Sequence, residues 1–283
     1  MPLLTVIMPA YQASGTIGRS IRSTLRAMPR DAQLVVGLDG PDDATERAAR
    51  AVTDPRLVVR AHDRNRGSVA CTRELLLSTD SEFVAKMDAD DLCAPWRFRL
   101  ELAAMRHADI VCGSGIRFGG GAVPRPSYFG SLTSEEIGAL LPFTNPLFHP
   151  SMLARRETLL EANAYAVDSP AEDYVLWHDA LLNGARLSKI AAPVIAYRLS
   201  AGQISGAEDY HRRVEADPEV RRVYQAWAGA TGRGWLLEDG GTPSHPSVPP
   251  ERAAEILTQV RPVTRPYARR QVMHHVRTAD SSC

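Results

Sequence analysis

Short apolar runs alternate with helical patterns along the first 90 residues, and this alternation restricts the fold more than any other feature of the chain. The runs that predict strands cover residues 3–8, 34–38, 57–60 and 83–87, and the helical patterns between them cover residues 16–27, 44–52 and 68–77. In the first helical pattern Ile17, Ile21 and Leu25 lie on one face at four-residue spacing. A βαβαβαβ order is typical of a parallel sheet with helices on both faces. The sequence therefore predicts an α/β fold with a Rossmann-like, mostly parallel central sheet flanked by helices.

The second half of the chain is less regular. We predict strands at residues 110–112 and 192–199, helices at 134–141 and 174–182, and a loop or irregular hairpin at 118–130. Ser134 is the predicted cap of the first of these helices, and Asn183-Gly184 is the predicted stop of the second. From about Gly206 the chain changes to charged helical segments, interrupted at 242–250 by a Pro- and Ser-rich stretch that is typical of a linker. We therefore expect a folded domain over residues 1–205 and a helical C-terminal extension over residues 206–283.

Charge and cysteine content exclude several classes of protein. The chain has 33 basic and 33 acidic residues, whereas nucleic-acid binders usually carry a basic excess. The four cysteines form no C-x-x-C pair, which argues against a zinc knuckle or a disulfide framework and fits a reducing compartment. No apolar stretch reaches the roughly 18 residues of a membrane span, and residues 1–9 lack the basic leader of a signal peptide. These features predict a cytoplasmic protein that binds no nucleic acid.

An acidic loop, Asp88-Ala89-Asp90-Asp91, directly follows the predicted strand at 83–87, and Asp39 follows the strand at 34–38. Because ligands of parallel sheets bind at the carboxyl ends of the strands, these acids should line one rim. Alternate residues of an extended segment point to one side, so Asp88 and Asp90 could share one Mg²⁺ or Mn²⁺ ion. A solvated acidic turn or a helix cap before Pro95 is an equally weighted interpretation of the loop taken alone.

Five segments in order resemble the inverting family 2 glycosyltransferases of GT-A fold. They are the strand and loop at 6–13, the turn at 35–45, the Asn-Arg-Gly loop with Arg73 at 65–73, the acidic loop with its Pro and Arg at 88–97, and the Glu-Asp-Tyr segment at 171–177. The resemblance runs from about Leu4 to Ser205. It implies a nucleotide-sugar half at 1–115, an acceptor half at 116–205, and metal-dependent transfer of a sugar with inversion from a nucleotide-sugar to an acceptor hydroxyl.

The resemblance also implies roles for individual residues. On the donor side these are Pro9, Ala10 and Tyr11 at the base, Asp39 at the uracil or ribose, Arg73 as a support of the nucleotide pocket, Asp88 with Ala89 at the ribose, and Asp90, with Asp88, at Mn²⁺ or Mg²⁺. On the acceptor side they are Asp173 as the general base, with Glu172 as its rival, and His149 and Trp177 beside it. Each has a structural alternative: packing for Tyr11, a helix neighbour for Arg73, a turn for His149, and capping of the next helix for the Glu172-Asp173 pair.

Three positions depart from the family pattern. Leu38 stands where the family usually has a first acid, Glu74 replaces an Asn, and Ser200 replaces a late His. Leu38 leaves the nucleotide of the donor undecided, with a UDP-sugar favoured and a dTDP- or GDP-sugar as the alternative. The last leaves open which residue takes the place of the His at the metal or diphosphate.

Other classes of function remain as alternatives. A non-catalytic nucleotide-sugar-binding module is consistent with Leu38 and Ser200, whereas a sugar nucleotidyltransferase is disfavoured because residues 9–16 contain one glycine, Gly15, and no lysine. The acceptor is expected to be a glycan, a lipid-linked sugar or a small molecule. Arginine pairs in the extension are interpreted as solvated helix faces, so membrane contact is not predicted, and a peripheral position at the inner membrane face is the alternative.

Overall fold

The computed structural model describes residues 1–126, 130–199, 209–243, 246 and 248–276. The strands are β1 Leu4–Ala10, β2 Ala32–Leu38, β3 Leu57–Ala61, β4 Phe83–Lys86, β5 Leu92–Cys93, β6 Ile110–Gly119, β7 Ala122–Pro126, β8 Leu153–Arg155 and β9 Leu187–Arg198. The helices are α1 Ile17–Ala27, α2 Asp43–Arg50, α3 Ser68–Leu77, α4 Arg97–Ala104, α5 Ser134–Leu140, α6 Arg156–Glu161, α7 Glu172–Leu182, α8 Tyr210–Ala216, α9 Pro218–Ala230, α10 Pro250–Thr258 and α11 Arg265–Met273. In the described part of the chain, 3₁₀ turns lie at His149–Ser151 and Gly234–Gly240.

The N-terminal half forms the predicted parallel sheet, in the order β3-β2-β1-β4. Every residue of β1 except Pro9 is buried, because α1 and α3 cover the sheet with apolar side chains such as Ile21 and Leu75. All four strands point the same way, so their carboxyl ends form one rim. Asp39 and Asp88 both lie at that rim, as the sequence predicts.

The acceptor half adds strands of mixed direction. β8 runs antiparallel to β4 and β6, β9 runs parallel to β6, and the two-residue strand β5 pairs with β9. The predicted strand at 110–112 extends to Gly119. Of the loop or irregular hairpin predicted at 118–130, residues 118–126 form the end of β6, a turn and β7, with a shift in register between Arg117 and Gly119, and residues 127–129 lie outside the described residues. The acidic loop therefore lies between β4 and β5, which belong to the middle and to the far edge of the same sheet.

The predicted cap of α5 is wrong by one residue. Thr133 is the cap: its hydroxyl accepts a hydrogen bond from the Glu136 amide, and the Glu136 carboxylate accepts one from the Thr133 amide. Ser134 lies inside the helix, and its hydroxyl accepts a hydrogen bond from the Leu187 amide of β9 instead. The reciprocal Thr–Glu pair satisfies two amides at once, which favours Thr133 over its neighbour.

The extension packs against the acceptor half and shares its apolar core. Tyr224 and Ala228 of α9 and Leu236 of the following 3₁₀ turn are buried in the same cluster as Ile137 of α5 and Leu176 of α7. The stretch predicted as a linker includes Val248, which is fully buried and whose amide donates to the His275 carbonyl oxygen. Residues 244, 245 and 247 of that stretch lie outside the described residues. Among the described residues, no helix has the length and apolar character needed to cross a membrane.

Candidate active site

The acidic loop is fastened on both sides by hydrogen bonds to its backbone and to Asp91. The Ser20 hydroxyl of α1 donates to the Asp88 carbonyl oxygen at 2.8 Å. From β9, the Arg198 amide donates to Asp91 Oδ1 at 2.7 Å, and Arg198 Nε donates to the Asp90 carbonyl oxygen at 3.0 Å. The side chains of Asp88 and Asp90 remain partly exposed at the rim. The loop is thus a turn fixed by hydrogen bonds that exposes the carboxylates of Asp88 and Asp90, and it does not cap α4.

A fully buried ion pair lies beneath the loop. Arg97 Nε donates to both Glu101 carboxylate oxygens at 3.1 and 3.2 Å, and Arg97 Nη2 donates to the carbonyl oxygen of Lys86 at 2.8 Å. Burial raises the pKa of Glu101 to about 7, although Arg97 opposes the shift. The arginine of the family's acidic-loop segment therefore fixes the end of β4 from inside the core and does not face the rim.

Lys86 is a site residue that the sequence reasoning missed. It is 6% exposed at the end of β4, and its ammonium group forms an ion pair with the Asp88 carboxylate. Burial lowers the pKa of Lys86, but the carboxylates of Asp88, Glu172 and Asp91 outweigh burial and hold that pKa above its usual value. The sequence does contain one signal for it, because lysine is rare in this chain and occurs only at Lys86 and Lys189.

The loop places the carboxyl groups of Asp88, Asp90 and Asp91 close together, and their crowding shows in the pKa values of Asp90 and Asp91. Burial and the neighbouring Asp88 raise the pKa of Asp90, and the same two causes raise the pKa of Asp91 to about 9. Asp91 Oδ2 is buried and has no hydrogen-bond partner among the described residues. Carboxylates that crowd in this way, with open rim positions at Asp88 and Asp90, form a donor set that suits a hard divalent cation.

The carboxylates alone do not complete a metal site. Within residues 1–126, 130–199 and the described part of the extension, no group of three or more His, Cys, Asp or Glu side chains is gathered around one point. Mg²⁺ is commonly held by one or two carboxylates together with substrate phosphates, and Asp88 and Asp90 fit that arrangement. The remaining ligands would then come from a diphosphate and water.

On the acceptor side, Glu172 and Asp173 form the first turn of α7. Asp173 Oδ2 accepts a hydrogen bond from Asn145 Nδ2 at 2.7 Å, and Asp173 Oδ1 accepts one from the Tyr174 amide at 2.8 Å. Burial raises the pKa of Asp173 even though both hydrogen bonds lower it. A helix start favours the ionised form of a carboxylate, but burial is the larger effect here and leaves Asp173 a stronger base.

His149 joins Glu172 to the core. His149 Nε2 lies 2.7 Å from the Tyr165 hydroxyl, and His149 Nδ1 lies 3.7 Å from Glu172 Oε1. Burial and the charge of Lys86 hold the pKa of His149 well below its usual value, so the ring is neutral. Burial, followed by the charge of Asp173, raises the pKa of Glu172 to about 7. Tyr165, which no pattern in the sequence marked, thus completes a buried chain that leads to Glu172.

Trp177 does not reach the rim. Its side chain is fully buried, and its ring meets the edge of the His149 ring with the centroids 5.7 Å apart. Trp177 therefore supports the His149 ring from inside the core and does not face the acceptor.

The predicted nucleotide-side residues lie around the ends of β1 and β2. Pro9 and Ala10 end β1, and Tyr11, 51% exposed, follows them. Asp39 is 3% exposed; its amide donates to the Ala10 carbonyl oxygen, and its carboxylate accepts the Arg66 amide at 2.8 Å.

The other predicted donor-side residues shape this region from further away. Arg73 Nη1 donates to the Ala164 carbonyl oxygen at 3.2 Å, which connects α3 to the acceptor half. Glu74 forms an ion pair with Arg66. Ala89 and Leu38 are buried, and Ser200 lies outside the described residues. The structure thus uses Asp39 and Arg73 to hold neighbouring loops in place.

A family model described as Glycosyl transferase family 2 matches residues 5–163, which is more than half of the chain. The chain therefore belongs to glycosyl transferase family 2, and its class is that of a glycosyltransferase.

Individual relatives agree with this class. The chain is 27% identical over 223 residues to the succinoglycan biosynthesis protein ExoO of Rhizobium meliloti (strain 1021), a match that covers 72% of this chain and 63% of ExoO. It is 24% identical over 223 residues to the UDP-Glc:alpha-D-GlcNAc-diphosphoundecaprenol beta-1,3-glucosyltransferase WfgD of Escherichia coli, with 72% of this chain and 79% of WfgD covered. The chain thus spans less than two thirds of the length of ExoO.

The crystal structure of S. aureus TarS 1-349 in complex with UDP-GlcNAc is similar in fold. Its TM-score is 0.64 at 21% sequence identity, and the match covers 97% of this chain and 89% of that one. This likeness confirms the predicted GT-A type α/β fold.

Proposed function

We propose that the chain transfers a sugar from a nucleotide-sugar, with UDP as the favoured nucleotide, to an acceptor hydroxyl during the synthesis of a polysaccharide or related glycan. One observation carries the proposal. The charge of Lys86 acts on Asp88 in the acidic loop and on Glu172 and Asp173 at the start of α7. The predicted donor-side and acceptor-side acids therefore belong to one electrostatic site.

In this proposal Asp173 is the general base. An acceptor hydroxyl becomes a sufficient nucleophile only as a base removes its proton, and a base whose pKa is raised toward neutrality performs this better. As the proton passes to Asp173, the acceptor oxygen forms a bond to the anomeric carbon. The bond from that carbon to the diphosphate oxygen breaks on the opposite face, so the anomeric configuration inverts.

The donor side would be held by the acidic loop. Asp88 and Asp90 would hold Mn²⁺ or Mg²⁺, which supplies positive charge to the diphosphate as it leaves. Tyr11 and the ends of β1 and β2 would border the base and ribose. Leu38 places an apolar side chain where the family usually has an acid. The preference for one nucleotide base over another is therefore tested by the binding of UDP, dTDP and GDP.

The relatives support the choice of donor and acceptor class. WfgD is named for a UDP-glucose donor and a diphosphoundecaprenol-linked acceptor, and TarS structures contain UDP and UDP-GlcNAc. ExoO and WbnJ are named for succinoglycan and O-antigen biosynthesis. A UDP-sugar donor and a glycan acceptor, including one linked to a lipid, follow as the proposal for this chain. With a lipid-linked acceptor, the chain would work at a membrane surface.

We further propose that residues 1–205 form the catalytic domain, with its nucleotide-sugar half at 1–115 and its acceptor half at 116–205. Residues 206–283 then form an extension that stabilises the acceptor half. The shared apolar core of α5, α7 and α9 supports this assignment.

The test is release of UDP from UDP-glucose and UDP-GlcNAc in the presence of Mn²⁺, with and without candidate acceptors. Asp90→Asn should abolish release, whereas Asp80→Asn, an exposed acid just before β4, should leave release unchanged. Wild-type protein that binds UDP-sugars in calorimetry but releases no UDP under any condition would instead identify a non-catalytic binding module.

A further inference from the structure

Lys86 is a buried cation in the place where the proposed function puts a metal ion. Its ammonium group contacts the Asp88 carboxylate, and its side chain is 8% exposed. The carbonyl oxygen of Lys86 is held by Arg97 from below, so the strand cannot carry the side chain away from the loop. The ammonium group itself sits on a flexible chain of four carbons and can move while the backbone stays fixed.

Titratable groups face Lys86 from the acidic loop, from the start of α7 and from the 3₁₀ turn, which contributes the neutral ring of His149. The acidic loop contributes Asp88, Asp90 and Asp91, and the start of α7 contributes Glu172 and Asp173. Arg198 of β9 also acts on Asp90, from the side of the loop. Arg97 is already matched by Glu101 below the loop. Lys86 is therefore the cation placed between the acidic loop and α7.

We propose that Lys86 is a built-in counter-cation that holds Asp88 while the site is empty and releases it when a divalent cation binds. This rests on the proposed function in one respect, namely that Asp88 and Asp90 receive the metal. A divalent ion at Asp88 would lie within a few ångströms of the ammonium group, and like charges at that distance repel strongly. The wild-type protein should consequently bind metal weakly until a nucleotide diphosphate adds negative charge.

Removing the charge tests this directly. Lys86→Met keeps the unbranched shape and most of the length of the side chain and removes the ammonium group, so Mn²⁺ should bind at least tenfold more tightly than to the wild type in the absence of nucleotide. Lys86→Arg keeps the positive charge and should stay close to the wild type. Lys189→Met is the matched control, because Lys189 is also buried but donates to Ser114 and Gly130. Binding is measured by calorimetry and by the electron paramagnetic resonance signal of free Mn²⁺.

Asp90→Asn separates the two claims. If, with UDP at saturating concentration, this variant binds Mn²⁺ as the wild type does, the metal site itself is misassigned, whatever Lys86 does. If Asp90→Asn loses metal and Lys86→Met binds no more tightly than the wild type, the counter-cation is refuted while the proposed transfer reaction stands.

A second measurement follows the wild-type protein and needs no folded Lys86 variant; Lys189→Met serves only to assign the signals. With lysine labelled by ¹³C at the ε carbon, the two lysines give two side-chain signals, assigned by Lys189→Met. Addition of Mg²⁺ with UDP should shift the Lys86 signal and leave the Lys189 signal in place. A Lys86 signal that does not move when Mg²⁺ and UDP saturate the protein would overturn the proposal.

Discussion

Glu136 connects the extension to the acceptor half, and its replacement by Gln should destabilise the whole fold by about 2 kcal/mol. The carboxylate is 2% exposed and accepts hydrogen bonds from Arg261 Nη2 at 2.7 Å and from the Arg261 amide at 2.8 Å. Burial alone would raise the pKa of Glu136, but the bonds from Arg261 and from the Thr133 amide outweigh it and lower that pKa from 4.5 to about 2.

The magnitude follows from this shift. One pKa unit corresponds to about 1.4 kcal/mol, so the full shift corresponds to roughly 3 kcal/mol. The Arg261 side chain is 43% exposed, and solvent screening reduces the contribution to about 2 kcal/mol. Because the folded pKa is depressed, this stability is present above the unfolded pKa of 4.5 and is lost as the pH falls toward 2.

The assay is urea unfolding of the wild type and of Glu136→Gln at pH 7 and at steps down to about pH 3. The difference in free energy of unfolding should be about 2 kcal/mol at pH 7 and should shrink with acid. Glu135→Gln, one residue earlier and exposed, is the control and should change stability by under about 0.5 kcal/mol. Equal losses for the two variants, or a loss for Glu136→Gln that does not vary with pH, would refute the reasoning.

Three further predictions concern the reaction. EDTA should abolish sugar transfer, and Mn²⁺ or Mg²⁺ should restore it. Full activity in the presence of the chelator would show that transfer needs no metal ion at Asp88 and Asp90. Asp173→Asn should lower turnover by roughly 10²-fold or more while donor binding changes little, since the carboxylate is assigned to the acceptor side. Near-normal turnover, or a product that retains the donor's anomeric configuration in nuclear magnetic resonance spectra, would contradict that role. Calorimetry should find UDP binding more tightly than dTDP and GDP, and UDP as the weakest of the three would exclude the favoured donor.

The sequence predicts the strands of the nucleotide half well and those of the acceptor half poorly, for a physical reason. β1, β2 and β4 are nearly continuous apolar runs because both faces are covered, and such runs are visible in a linear pattern. β8 and β5 are three and two residues long, and they exist because distant strands pair with them. No local pattern of residues records such a pairing.

The candidate site also has one part that the sequence predicts and one part that it does not. The acids of the rim are recognisable by type and spacing, but their surroundings depend on the tertiary fold. Lys86 sits in an otherwise apolar run, where a single lysine carries no periodic signal. Tyr165 reaches His149 from a turn in which its own φ is +59°. The raised pKa of Asp173 comes from burial that the helix-start pattern alone could not show.

The packing of α9 has a consequence for engineering chimeric enzymes. Arg222 donates to both Asp179 carboxylate oxygens of α7, and a side-chain carbon at Gly138 of α5 would lie 2.9 Å from the Trp227 ring. The extension is therefore fitted to these two helices and is not an interchangeable module. An exchange of acceptor specificity between relatives should move α5, α7 and the tail together, because a cut at residue 205 would leave each side with a mismatched partner.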